Sequence, residues 1–257
     1  MSQSPFLKTA LKAAKAAEEV IMDYYSADEI RPSFKPDSTP VTEADREAER
    51  MIKETIKNAF PEHGFLGEES GSENAGSEYI WIIDPLDGTE NFIRKIPVFS
   101  TQIALMRKGE VILGVSNGPA MKELMFAEKG KGTFLDGNRI HVSSTKEISK
   151  AMVCYSGLKF FGEKGLLNGM LRLIKDCYKD RGYGDFWMYH LLASGRAEIT
   201  VEPYVKIWDI AALKVAIDEA GGIMTDIHGR PIGMETSTCL AANRKLHGRV
   251  LEYFRTS

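Results

Sequence analysis

The stretch IWIIDPLDGTENF, Ile80 to Phe92, decides the reading of this 257-residue chain. Tyr79, Ile80, Trp81, Ile82 and Ile83 are aromatic or β-branched with no polar alternation, the pattern of a strand covered on both faces. Asp84 ends the run, and Pro85, which has no backbone N–H, is expected to stop the ladder there. Asp87 follows within one tight turn, and Gly88 and Thr89 let the backbone bend. Two carboxylates thus converge at the carboxyl end of a buried strand, beside N–H groups able to cradle an anion. Acids and an anion share a site only with a cation between them. Mg²⁺, which takes oxygen ligands and bridges carboxylate to phosphate, is the natural candidate. The alternative is an Asx turn, which would need only one of the two acids.

Upstream, Leu7, Leu11, Ala14, Ala17 and Ile21 recur at three- and four-residue steps and predict a helix over Phe6 to Tyr25. KPDSTP, Lys35 to Pro40, reads as a loop, and VTEADREAERMIKETIKNAF as a second helix closed by Pro61. Thr42 and Asp45 fit a capping box, so Asp45 is either a cap or a catalytic acid. His63 to Ser77 reads as a polar, Gly-rich loop carrying GEES. Glu68 and Glu69 there are solvated charge or, given the DPLD turn beside them, a metal-site contribution.

Ser100 to Met106 and Glu110 to Gly114 predict paired strands around a Lys108-Gly109 turn, and Leu124 to Ala127 and Gly132 to Leu135 add further strand. Residues 1–145 therefore read as two helices followed by an antiparallel sheet. Residues 146–257 restart as α/β, with helices at Gly165 to Tyr178, Phe186 to Ser194, Ile210 to Ala220 and His247 to Phe254. Strands fall at Ala151 to Ser156, Ala197 to Val201, Ile223 to Thr225 and Leu240 to Ala242. No linker separates the halves, so one compact unit is expected. Asp209, just before the third of these helices, has an N-cap reading.

Composition narrows the function. A hydrophobic content of 43% supports a sizeable core, and a net charge of −3 argues against broad nucleic-acid affinity. No apolar run is long enough to span a membrane. Cys154, Cys177 and Cys239 lack metal-binding spacing and read as free thiols in a reducing compartment, which places the chain in the cytoplasm.

Taken together, VTEAD, GEES, WIIDPLDGTENF and WDIAALKVAIDEAGG, in this order, resemble the inositol monophosphatase family of Mg²⁺-dependent, lithium-sensitive phosphatases. The resemblance implies a layered αβαβα sandwich, a homodimer, and two or three bound Mg²⁺ ions. It implies that Glu68, Asp84, Asp87 and Asp209 bind metal, with the Leu86 carbonyl as a backbone ligand. Asp87, Gly88 and Thr89 would hold phosphate; Asp45 and Thr89, with Glu68, would orient the attacking water. Glu69 receives no role. Asp185 to Tyr189, GRAE at Gly195 to Glu198, and VEPYVKIWDIAAL look like the family's histidinol-phosphate phosphatase branch. The substrate would be a small-molecule phosphate ester carrying cationic groups, which Asp185, Glu202 and Asp209 could receive. A helix cap is the alternative for Asp185. Inositol-1-phosphate or sugar-phosphate hydrolysis, and a silent phosphate-binding protein on the same fold, are the competing functions.

Overall fold

The computed structural model describes residues 3–36 and 39–255, so Asp37 and Ser38 of the KPDSTP stretch lie outside the described residues. In chain order the first half runs α1 (Pro5–Ser26), β1 (Ser33–Phe34), β2 (Pro40–Val41), α2 (Glu43–Ala59), β3 (Gly64–Gly67), β4 (Gly71–Glu73), β5 (Tyr79–Asp87) and α3 (Thr89–Ile93). It continues with β6 (Ser100–Arg107), β7 (Glu110–Gly118), β8 (Glu123–Glu128), β9 (Gly132–Leu135) and β10 (Asn138–Ile140). The second half comprises β11 (Met152–Tyr155), α4 (Leu158–Glu163), α5 (Leu167–Asp176), β12 (Lys179–Arg181) and α6 (Asp185–Ala193). It ends with β13 (Ile199–Glu202), α7 (Ile207–Glu219), β14 (Gly222–Thr225), β15 (Cys239–Asn243) and α8 (His247–Leu251).

Two sheets carry the architecture. One has eight strands in the order β10-β9-β8-β7-β6-β5-β3-β4, the other five in the order β12-β11-β13-β15-β14. Side-chain alternation along each strand builds the layers. Trp81 and Ile83 of β5, with Ile103 and Leu105 of β6, pack against Leu7, Ala14, Ile21, Ala48 and Ile52 of α1 and α2. The intervening Ile82 and Ala104 face the other way, onto Ile207, Ala211 and Ala212 of α7. Cys154 and Ala241 of the second sheet join α6 and α7 in the middle layer. Val153, Leu240 and Ala242 turn outward onto α5 and α8. Period-two strands with apolar residues on both faces thus produce helix, sheet, helix, sheet, helix. This is the layered αβαβα sandwich expected.

Several local expectations need correction. β5 does not stop at Asp84: it runs to Asp87, and its register against β6 shifts between Asp84 and Asp87. Pro85 sits inside that bulge, where the missing N–H breaks no regular bond and its carbonyl accepts from Thr101 Oγ1 at 2.9 Å. The stretch expected as a polar loop holds β3 and β4, and β3 pairs parallel with β5, so the first sheet is not wholly antiparallel. Polarity concealed β3 because its glycines are there for close approach: a Cβ on Gly67 would lie 2.6 Å from the Glu49 carboxyl carbon. The helix expected over Gly165 to Tyr178 is shorter, and α4 and β12 flank it.

No helix among the described residues is long and apolar enough to cross a membrane, and the three cysteines are free.

The middle layer depends on one close approach. A Cβ on Gly114 of β7 would lie 2.7 Å from Ala212 Cα of α7, backbone that cannot swing aside. Gly114→Ala is expected to destabilise the fold by about 1–3 kcal/mol, read as a lower urea midpoint with an unchanged slope. An unchanged midpoint would show that α7 is not seated on β7 as described.

Candidate active site

The bulge at the end of β5 turns two carboxylates toward one cleft. Asp84 is 2% exposed, and its Oδ1 accepts from the Leu86 N–H at 2.9 Å. Asp87 Oδ2 accepts from the Phe186 N–H in the first turn of α6 at 3.0 Å. Gly88 then adopts φ 86°, a left-handed conformation; a Cβ there would also lie 2.8 Å from the Val98 carbonyl oxygen. Glycine is therefore required where the chain turns from β5 into α3.

Two further acids reach the site by the same device. Asp45 and Asp209 each stand third in a helix and reach back to its N-terminal end. Asp45 Oδ2 accepts from the Thr42 N–H at 2.8 Å and from its hydroxyl at 2.6 Å. Asp209 Oδ2 accepts from the Lys206 N–H at 2.7 Å. The capping box expected at Thr42 and Asp45 is present. Asp209, expected as an N-cap, is instead inside α7, which starts two residues before it. Capping and site membership are not exclusive: Thr89 Oγ1 lies 3.1 Å from the other oxygen of Asp45 and 3.0 Å from the Leu86 carbonyl.

Glu68, at the start of the turn after β3, is placed by its own N–H donating to the Ile83 carbonyl at 3.0 Å. Its carboxylate pairs with Lys35 Nζ at 2.6 Å, and Glu69 pairs with the same ammonium at 2.6 Å. Burial lowers the Lys35 pKa, but the bonds to the two glutamates outweigh it and the net shift is upward. Neither this lysine nor Glu49 was singled out in the sequence. Glu49 accepts from the Glu69 and Ser70 N–H groups at 2.9 and 3.0 Å and so shapes the GEES turn.

The electrostatics are those of crowded acids. Burial, then repulsion from Glu68, Asp87 and Asp209, raises Asp84 well above the carboxylate range. Burial, then repulsion from Asp185 and Asp209, does the same to Asp87. Burial pushes Asp209 to about 7, with Glu68 and Asp185 adding to it against the Lys206 N–H bond. Among the described residues, no three His, Cys, Asp or Glu side chains already stand so as to hold a metal ion. Each acid spends an oxygen on a neighbouring N–H or on Lys35. The donor chemistry nevertheless fits a hard divalent cation: all the groups are oxygen, and each repels the others without one.

Asp185 and Glu202 lie with Asp87 and Asp209 around one cleft of about 210 Å³, whose wall also includes Ser156, Phe160 and Tyr204. Asp185 does not cap α6. It is the helix's first residue at φ 52°, the cap position is Gly184, and its carboxylate accepts from Asn91 Nδ2 at 2.6 Å. Burial raises Asp185 to about 6. Burial raises Glu202 to about 8, with Asp185 and Asp209 repelling it and the Ser156 hydroxyl and Tyr204 N–H opposing the rise. GRAE divides: Arg196 pairs with Glu123 at 3.0 Å, and Glu198 accepts from the Met152 N–H at 2.8 Å to anchor β11. Neither lines the cleft.

Two sheets stacked between three helical layers, with an acid-lined cleft at the end of β5, define a class of layered α/β phosphatase scaffolds. The chain belongs to the inositol monophosphatase family, whose model matches residues 2–257. It is 37% identical to a histidinol-phosphatase of Streptomyces coelicolor, covering 96% of each chain. It is 35% identical to an inositol-1-monophosphatase of Caulobacter vibrioides, covering 95% of this chain and 98% of that one. The crystal structure of the extragenic suppressor protein suhB from Bartonella henselae superimposes with a TM-score of 0.91 at 29% identity, over 99% of this chain and 100% of that one. The family supports a phosphatase activity.

Glu202 provides a pH test. Its folded pKa of about 8 exceeds the unfolded value of about 4.3. The folded state therefore binds more protons between these values, and the contribution of Glu202 to stability is greatest below about pH 4.3 and is lost as pH rises to about 8. In chelator, the melting temperature of Glu202→Gln is expected to gain on that of wild type from pH 5 to pH 8. A constant difference across this range would show that Glu202 is not held protonated.

Proposed function

We propose that the protein is a divalent-cation-dependent phosphate monoester hydrolase whose substrate is histidinol phosphate. The observation that carries this reading is the pair Asp185 and Glu202, set with Asp87 and Asp209 around one small cleft. A neutral polyol needs hydroxyl partners there; an ester bearing an ammonium and an imidazole is matched by Asp185 and, as its positive charge displaces the proton of Glu202, by that second acid. The inositol-1-monophosphatase relative supports a second reading, hydrolysis of inositol-1-phosphate in the same cleft.

Glu68, Asp84, Asp87, Asp209 and the Leu86 carbonyl would hold the cations, for which we propose two or three Mg²⁺. When bound, such ions supply charge to offset the phosphate and to acidify a water. The chain's own residues do the rest. Thr89 shares its hydroxyl between Asp45 and the Leu86 carbonyl, so its lone pairs remain to orient a water on the line to phosphorus. Asp45, fixed at one oxygen by Thr42, accepts from Thr89 at the other and holds that hydroxyl in place. Gly88, whose left-handed turn carries the chain from β5 into α3, would hold the phosphate together with Asp87 and Thr89. Asn91 fixes Asp185 at 2.6 Å to receive the substrate's cationic end, with Glu202 across the cleft. A homodimer accompanies the proposal on the family resemblance, and a cytoplasmic location on the reading of the three cysteines as free thiols.

Removal of divalent cations by chelator is expected to abolish phosphate release, and Asp87→Asn is expected to fold yet need more Mg²⁺, since an amide lacks the carboxylate's charge. Full activity of either would sink the cation role.

Substrate choice is tested by paired kinetics on histidinol phosphate, inositol-1-phosphate and 4-nitrophenyl phosphate. Wild type is expected to show the highest kcat/KM for histidinol phosphate. Asp185→Ala is expected to lower that value by about one to two powers of ten, the loss of one charge-assisted hydrogen bond. It should change the chromogenic ester far less. Preference of wild type for inositol-1-phosphate would transfer the assignment to the second reading. An equal loss on all three esters would reduce Asp185 to a structural residue.

A further inference from the structure

His190 is fully buried in the second turn of α6, and the proposed chemistry makes no use of it. Its Nδ1 lies 3.1 Å from Glu123 Oε2, and its Nε2 lies 2.8 Å from Ser116 Oγ. Arg196 Nη1, 3.0 Å from the other oxygen of Glu123, favours the carboxylate, which can only accept. The proton is therefore on Nδ1, and a neutral ring presents the Nε2 lone pair to Ser116. Burial lowers the His190 pKa, with Glu123 opposing, which agrees with a neutral ring.

That tautomer determines every proton further along. Ser116 must donate its proton to Nε2, so its oxygen accepts from Gln102 Nε2 at 3.0 Å. The same amide nitrogen donates to Ser100 Oγ at 2.8 Å. With its oxygen occupied, Ser100 is free to donate its own proton to Asp87 Oδ2 at 3.4 Å. Strand register supports the sequence of contacts: Ser116 faces Gln102 across β6 and β7, and Ser100 faces Asp87 across β5 and β6. Ser100, Gln102 and Ser116 are 0%, 1% and 2% exposed. A flipped Gln102 amide would take both serine protons and leave neither His190 nor Asp87 a donor. In the orientation observed, its Oε1 has no partner among the described residues. A buried acceptor left unpaired carries a penalty that packing alone does not require. An apolar core would fill the same space without it.

We infer that His190 is a positioning residue: through Ser116, Gln102 and Ser100 it sets the Asp87 carboxylate for cation binding, while Phe186 in the same helix holds the same oxygen directly. The inference rests on the cation role proposed for Asp87. It couples α6, which also carries Asp185, to the cation site at two points one helical turn apart.

The test measures Mg²⁺ binding by calorimetry, the Mg²⁺ dependence of 4-nitrophenyl phosphate turnover, and melting temperature in chelator. His190→Leu removes the Nε2 acceptor while keeping apolar bulk. Its Mg²⁺ Kd and half-saturating Mg²⁺ are expected to rise about threefold, the effect of one lost neutral hydrogen bond passed to Asp87 through the 3.4 Å contact of Ser100. His190→Gln, whose amide oxygen can stand where Nε2 stood, is expected to restore most of that loss. Ser116→Ala breaks the chain without altering α6 and is expected to reproduce His190→Leu, which covers the case in which the leucine variant does not fold. A lower melting temperature with an unchanged Mg²⁺ Kd in these variants would overturn the inference and leave His190 a packing residue. A wild-type protein that binds no Mg²⁺ would overturn the cation reading itself, and this inference with it.

Discussion

The constraint on which this structure depends is the crowding of like charge at the end of β5. Burial raises Asp84, Asp87 and Asp209, and neighbouring charge adds to it: Asp87 and Asp209 act on Asp84, Asp185 and Asp209 on Asp87, Asp185 on Asp209, and Glu68 on all three. Gathering carboxylates this way opposes folding, and a fold tolerates it only when other interactions hold each group in position. Here each aspartate is held by a main-chain donor: Leu86 for Asp84, Phe186 for Asp87, Lys206 for Asp209, Thr42 for Asp45. Three of these donors lie within three residues of the acid they hold, so the geometry is set by local backbone. Only Phe186 comes from far along the chain.

The layered fold supplies rigid bases for those anchors. β5 is covered by α1 and α2 on one face and α7 on the other, so its end is fixed by apolar packing before any polar contact forms. The bulge opposite Ser100 and Gln102 then turns the strand's last residues into the cleft. α6 and α7 enter the cleft from the middle layer, whose core they share with strands of both sheets. The acids proposed for the cations thus come from the turn after β3, from β5 and from α7, and those proposed for the substrate from α6 and β13. No single element carries the site.

Much was legible because it is local. Strand alternation, the Asp84–Asp87 spacing, the Thr42–Asp45 cap and the glycine after Asp87 all act over a few residues, and each appears where those residue types require it. Failures of reading occurred where a local rule met a tertiary requirement. Pro85 breaks an ordinary ladder but fits a bulge. Gly64 and Gly67 look like loop residues until β4 and Glu49 are seen pressed against them. Asp185 looks like a helix cap, yet its carboxylate is taken by an asparagine 94 residues away.

By itself, then, the sequence determined a layered α and β chain and the turn that carries Asp84 and Asp87, since these follow from side-chain period and short-range backbone chemistry; the αβαβα order and the wider acid set were implied by family resemblance. Only the tertiary structure decided what those acids touch. It brought Lys35 onto Glu68 and Glu69, Asn91 onto Asp185, and a buried row of polar side chains from His190 to Asp87. Contacts of this kind join residues tens of positions apart. Their partners are chosen by how helices and sheets pack, and that packing leaves no periodic mark in the chain.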